Sequence, residues 1–355
     1  MNLEKILAAI KPIDKDIIEK AKNRSNELII PFRAMGDLHE LAEQLCGITQ
    51  SVKPKVKRKA IFLMVADHGV VEENISAYPQ SITLEMVKAF VEGVATISVL
   101  SKTFKSKLIV ADVGMKKNYS KKVIKNKHTT FLCEKVGHST KNFKTSKAMT
   151  YNEAIRSIET GFNVANKYIK HHDLHLVATG DMGVGNTTAA SAIASVFCDE
   201  PPENITGMGS HIDNDTLSRK IEVIKAAIAM HQPDKTNGID VLSKVGGFEI
   251  GAIAGVILAG AYNRIPVVLD GAVTTSAALI AYSLKRYAKE YMIPSHLSAD
   301  KSHQFMLDYL QLKPLLNLHM RLGEGSGAVL AFPIIKAAAN ILKKVATFKD
   351  LGIEK

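Results

Sequence analysis

Glu324 stands between glycines in Arg321-Leu-Gly-Glu-Gly-Ser-Gly-Ala328, just after an apolar stretch that ends at Leu316 and Leu318. Glycine lets the backbone approach a ligand closely, so a carboxylate placed this way is offered to a substrate. The competing reading is a helix start, with Glu324 near the positive end of the macrodipole and the glycines serving a turn. A second stretch, Gly180-Asp-Met-Gly-Val-Gly-Asn-Thr-Thr188, follows the strand-like Leu174-His-Leu-Val-Ala178 and opens the helix-like Ala189-Ala-Ser-Ala-Ile-Ala-Ser-Val196. Strand, glycine loop and helix together hold a phosphate: the first amides of the helix are unpaired donors, and Thr187 and Thr188 add hydroxyls. An ordinary βα turn capped by Asn or Thr is the plain alternative. No Lys follows the last glycine, so this is not a Walker loop, and the spacing is not that of a dinucleotide fingerprint.

The elements that must position these loops read as strands and helices in alternation. Ile61-Phe-Leu-Met-Val65, Leu108-Ile-Val-Ala111, Leu174-His-Leu-Val177 and Pro266-Val-Val-Leu269 are short apolar runs that each end in Asp, Gly or both. Thr130-Phe-Leu-Cys133 and Tyr291-Met-Ile-Pro294 are weaker candidates. Continuous apolar runs suit strands buried on both faces, which predicts an α/β fold with a Rossmann-like parallel sheet wrapped by helices. Ligands of such sheets lie beyond the carboxyl ends of the strands, where Asp67, Asp112, Asp181, Asp270 and Ser295 would fall. Residues 3 to 22, 37 to 46 and 330 to 344 have helical spacing without strand candidates. They predict terminal segments, 1–50 and 329–355, that pack as a small helical domain beside an α/β catalytic domain spanning 51–328.

Composition narrows the class. With 355 residues and 46% hydrophobic content the chain can bury a large core. No apolar run in the sequence is long enough to suggest a bilayer span, and the opening Met-Asn-Leu-Glu-Lys carries an acid where a signal peptide needs basic then apolar residues; a cytoplasmic location is expected. Cys46, Cys133 and Cys198 are widely separated, so neither disulfides nor a thiolate metal site is suggested. The net charge of +11 is concentrated in two basic runs, Lys53 to Lys59 and Lys116 to Lys127, which lack the interleaved aromatics of nucleic-acid binders. They read as solvated surface, whose field would still draw in an anionic mononucleotide. His171-His-Asp-Leu-His175 suits a solvated turn better than a metal site. Neighbouring strand-end residues point apart, so Asp67 and His68 do not form an acid–base pair, and Glu249 reads as a helix cap.

In order along the chain, Ala66-Asp-His-Gly-Val-Val71, Ser76-Ala-Tyr-Pro-Gln80, the 180–188 loop, Gly246-Gly-Phe-Glu-Ile250, Val268-Leu-Asp-Gly271, Ser295-His-Leu-Ser-Ala299 and the 321–327 loop form one pattern. It resembles the nicotinate-nucleotide:dimethylbenzimidazole phosphoribosyltransferase family, which makes the lower-ligand nucleotide of cobalamin. The resemblance implies transfer of phosphoribosyl from nicotinate mononucleotide to 5,6-dimethylbenzimidazole, giving α-ribazole 5′-phosphate and nicotinate. It also implies a homodimer, and because the nicotinate leaving group is already cationic no metal is needed; no cofactor is expected, and composition points to no nucleic-acid or membrane partner. Glu324 takes the acidic position of the family's Arg-Leu-Gly-Glu-Gly pattern as general base. Asp181, where the family is expected to show Glu, takes a supporting catalytic role. Gly183, Gly185, Asn186, Thr187, Thr188, Lys220, Ser295, Ser298, Gly323 and Gly325 are the expected nucleotide contacts. Ser76, Tyr78, Gln80, Met182 and Leu322 are the expected contacts to the base. Lys220 sits in a polar helical stretch and reads equally as a surface lysine. Pro31-Phe-Arg-Ala-Met-Gly-Asp-Leu38 replaces a family segment rich in Lys, Pro, Gly and Ser, which leaves its role open. The alternatives are a non-catalytic sensor that keeps the fold to bind a base or riboside, which the intact Glu324 opposes, and an oxidoreductase, which the missing GxGxxG opposes.

Overall fold

A computed structural model describes residues 1–119, 123–125, 128–209 and 212–353 of the chain. Among these residues seven strands form one sheet: β1 (Lys59–Ala66), β2 (Lys107–Gly114), β3 (Val123–Lys125), β4 (Thr129–Cys133), β5 (Leu176–Met182), β6 (Val267–Leu269) and β7 (Met292–Pro294). Their order is β3-β4-β2-β1-β5-β6-β7, and all neighbours are parallel except β3, which runs antiparallel to β4. The six parallel strands are those the apolar runs predict. β3 is an addition inside the second basic run, of which residues 120–122 and 126–127 lie outside the described residues.

Alternation along β1 divides the core. Ala60, Phe62, Met64 and Ala66 join one apolar cluster, while Ile61, Leu63 and Val65 join the other. On the first face the helices Tyr151–His172 and Phe248–Tyr262 pack so closely that a Cβ on Gly161 would lie 1.9 Å from the Ala252 carbonyl oxygen. Only glycine permits that approach. The helix Leu3–Ala9 packs against the same two helices. On the second face lie the helices Thr96–Thr103 and Ser326–Lys344, with Lys15–Glu27 and Asp37–Thr49 packed on the latter.

The chain's two end regions are stitched together. Leu28 bridges Thr347, Ile29 N–H donates to the Ala346 carbonyl at 2.9 Å, and Phe348 N–H donates to the Glu27 carbonyl at 3.0 Å. Ser326–Lys344 is long and apolar enough, with a mean hydropathy of 1.3, to cross a membrane by length and composition, unlike the sequence expectation. Its apolar side chains, among them Val329, Phe332, Ile335 and Leu342, are spent instead on the second-face core. In the 31–38 segment Arg33 donates to both carboxylate oxygens of buried Glu43, at 2.7 and 3.4 Å, and Asp37 pairs with Lys313 at 2.8 Å.

Candidate active site

Asp67, Asp112, Asp181, Asp270 and Ser295 all stand at the carboxyl edge of the sheet. β5 runs further than its apolar residues suggest, because Gly180, Asp181 and Met182 continue to pair with Leu63, Met64 and Val65 of β1. Asp181 therefore sits on a strand and not in a loop. The following helix starts earlier than expected, at Asn186, with Gly185 as its left-handed cap (φ 96°). The amides of Asn186 and Thr188 are occupied by the carbonyls of Gly183 and Gly185 at 3.1 and 3.0 Å, so these two are not the unpaired donors that the sequence predicts.

Beyond this edge lies a cavity of about 560 Å³, a size suited to a nucleotide or small aromatic ligand. Glu324, Asp181, Gly183, Gly185, Asn186, Thr187, Lys220, Ser298 and Gly323 line it, as do Ser76, Tyr78, Met182 and Leu322. Four expected contacts stand back from the wall. Gln80 turns away to donate its Nε2 to the His68 carbonyl at 3.1 Å. Thr188 is wholly buried in its helix, Ser295 lies 2.8 Å from Nδ1 of His296, and Gly325 gives its amide to Asp270. No residue of 31–38 lines the cavity among the described residues.

The turn around Glu324 holds three consecutive left-handed residues, Gly323 (φ 82°), Glu324 (φ 63°) and Gly325 (φ 86°). Asp270 fixes it: Oδ2 accepts from Gly325 N–H at 2.9 Å, and Oδ1 accepts from Gly327 and Ala328 N–H at 2.8 and 3.0 Å. A Cβ on Gly180 would meet the Glu324 carbonyl oxygen at 2.7 Å, so the turn rests directly on β5. The Glu324 carboxyl is buried, which raises its pKa to about 7, while a hydrogen bond from Ile97 N–H works in the opposite direction. Its Oε2 is buried without a hydrogen-bond partner among the described residues. Asp181 accepts from Asn186 Nδ2 at 2.8 Å. Burial, then the nearby charges of Asp270, Glu249 and Glu324, hold its pKa well above the ordinary carboxylate value.

Lys220, also on the cavity wall, is buried, which corrects the reading of it as a surface residue. The helix Asn214–His231 carries it inward, and its Nζ donates to Thr187 Oγ1 at 3.0 Å and to the Gly207 carbonyl at 3.2 Å. Burial lowers its pKa to about 8. Ile75, Tyr78, Ile82, Met86, Met182, Val273 and Leu322 give the cavity its apolar lining.

Some neighbours escaped the sequence. His68 pairs with Glu249 at 2.6 Å with both side chains buried, so Glu249 is not a helix cap. His296 lines the cavity, and burial lowers its pKa to about 4, which keeps it neutral. It stands inside the quoted Ser295-to-Ala299 segment, whereas Met86 and Met208 carried no signal at all. Arg58 N–H donates to Nδ1 of His175 at 3.2 Å in the turn after His172. Among the described residues no group of three or more His, Cys, Asp or Glu is placed to hold a metal ion.

A parallel α/β sheet with a buried cation and a buried carboxylate on the wall of one cavity is an arrangement suited to a phosphorylated ligand. The chain belongs to the phosphoribosyltransferase family, whose model matches residues 10–353. Its relatives include the nicotinate-nucleotide--dimethylbenzimidazole phosphoribosyltransferase of Alkaliphilus metalliredigens, 44% identical and matched over 99% of both chains. The enzyme of the same name from Desulforamulus reducens is 43% identical, again over 99% of both. The crystal structure of nicotinate-nucleotide-dimethylbenzimidazole phosphoribosyltransferase from Thermus thermophilus matches with a TM-score of 0.89 at 37% identity, covering 97% of this chain and 100% of that one.

Proposed function

We propose that this chain transfers the phosphoribosyl group of nicotinate mononucleotide to 5,6-dimethylbenzimidazole or a related base, giving α-ribazole 5′-phosphate and nicotinate. The names of its relatives and the cavity both support this reading. The bond from the anomeric carbon to the pyridinium nitrogen breaks as a benzimidazole nitrogen attacks the opposite face. The departing ring takes the bonding electron pair and loses its positive charge, so departure needs no acid. The incoming ring must lose the proton on its other nitrogen, and Glu324 accepts it.

The observation that carries this assignment is the Glu324 carboxyl: buried, unpaired at Oε2 among the described residues, and held near neutral pKa in the cavity wall. Lys220 and Thr187 take the phosphate as a charge-assisted cluster, with Ser298 beside them. Tyr78, Met182 and Leu322 hold the flat base. Asp181, with its raised pKa, serves as a hydrogen-bonding neighbour of the ribose and not as the base. The resemblance adds a cytoplasmic homodimer acting on small molecules alone.

Incubating the purified chain with nicotinate mononucleotide and dimethylbenzimidazole tests the reading. Release of nicotinate in step with α-ribazole 5′-phosphate is expected. Saturable binding of both compounds with no release would make the protein a sensor instead. A light-scattering mass of a single chain would remove the dimer.

A further inference from the structure

Asp270 does not line the cavity, yet it holds the part of the molecule that does. It follows β6 directly, its side chain is fully buried, and its own amide donates to Thr179 Oγ1 at 3.3 Å on β5. Three backbone N–H groups on the far side of Glu324 converge on its carboxylate. Two are first-turn amides of the helix Ser326–Lys344, which have no carbonyl partner within the helix. The third belongs to Gly325, the residue next to the base. Glu324 is held in a left-handed conformation that residues with side chains seldom adopt, so some outside contact must define the turn.

We propose that Asp270 is a positioning residue for the general base: it ties the Gly323–Gly325 turn to the end of β6, so that the Glu324 carboxylate stays in the cavity wall. This rests on the assignment of Glu324 above. The two carboxylates differ in kind. Asp270 spends its oxygens on backbone donors, whereas Glu324 keeps one oxygen free. Substituting Asn for Asp270 preserves the shape but turns one acceptor into a donor facing an N–H group, which loosens the turn without emptying its place. Small displacements of a catalytic group carry large rate losses.

The test is a double-mutant cycle on the full chain, with turnover and nucleotide KM measured for Asp270→Asn, Glu324→Gln and the pair. Asp270→Asn is expected to lower kcat on the order of 10–10³-fold and to leave the KM for nicotinate mononucleotide within about threefold. The double variant should be no slower than Glu324→Gln alone, because a positioned group that has been removed cannot be mispositioned. Multiplied losses in the pair would show that Asp270 acts independently of Glu324 and overturn the proposal. So would a loss confined to Glu324→Gln, which removes Asp270 and leaves the base. Full turnover in Glu324→Gln would instead remove the base, and this role of Asp270 with it. Should Asp270→Asn fail to fold, Asp270→Ser takes its place in the cycle. If neither binds nucleotide, Asp270 belongs to the fold alone and the proposal is wrong.

Discussion

Glu324 is an acid whose pKa burial raises to about 7; Lys220, on the wall of the same cavity, is a base whose pKa burial lowers to about 8. The cause is the same, loss of hydration of the charged form. The surroundings turn it to different uses. Lys220 is bonded to Thr187 Oγ1 and the Gly207 carbonyl, both fixed by the fold, so it offers a steady positive charge. Glu324 receives one backbone N–H and leaves Oε2 open, so it offers a lone pair. Asp181 shows that burial alone does not make a base. Burial first, then three neighbouring carboxylates, holds its pKa well above the ordinary carboxyl range, which suits a hydrogen-bond donor.

The sharpest way to break this contrast is Glu324→Gln, which keeps the shape and removes proton acceptance. Turnover should fall on the order of 10²–10⁴-fold, mostly in kcat, and fall less with a base that lacks a ring proton at the assay pH. Asp181→Asn should cost less and act mainly on nucleotide KM. If steady-state kinetics ranks the two the other way round, the acids exchange roles.

Lys220→Met should instead raise nucleotide KM about 10–100-fold with a modest change in kcat, the range expected for a lost charge-assisted hydrogen bond. In the unmodified protein, affinity should decline as pH rises above about 8, because the free lysine then loses the proton that the phosphate favours. Titration calorimetry across pH 7 to 9 checks this. A slope that persists in Lys220→Met would place the titrating group elsewhere.

Stability offers a smaller effect of opposite sign. The folded pKa of Glu324 lies above its unfolded value, so its contribution is full below about pH 4 and is lost as pH rises through about 7. At pH 8 Glu324→Gln should therefore be the more stable protein, on the order of 1–3 kcal/mol, with the difference closing near pH 4. Urea melts at both pH values decide it. The smallest expected effect is none: EDTA should leave turnover unchanged, because the leaving ring is already cationic. Activity lost to the chelator and regained with magnesium would contradict that account.

The sheet was legible because Ile61–Val65 and Leu108–Ala111 are apolar at every position, a pattern that only strands covered on both faces need. The strand-end acids followed from the same runs. β3 did not, since its only apolar residues, Val123 and Ile124, make too short a run among lysines to mark a strand. Lys220 was ambiguous because helix burial depends on what packs above it, here the loop carrying Gly207 and Gly209. Gln80 shares its segment with Ser76 and Tyr78, yet a side-chain rotation sends it to the His68 carbonyl. The His68–Glu249 pair joins residues far apart in the chain, and nothing local in either segment announces the other.

The stitching of the two end regions has a consequence for synthesis. Sheet, glycine loop and Lys220 are all encoded before the Glu324 turn, whose anchoring helix must then close against Lys15–Glu27 and Asp37–Thr49, made long before. A nascent chain halted after Leu310 would carry Thr187 and Lys220 but neither Glu324 nor the helix that holds its turn, so the cavity wall is completed only when a helix made late closes on helices made early.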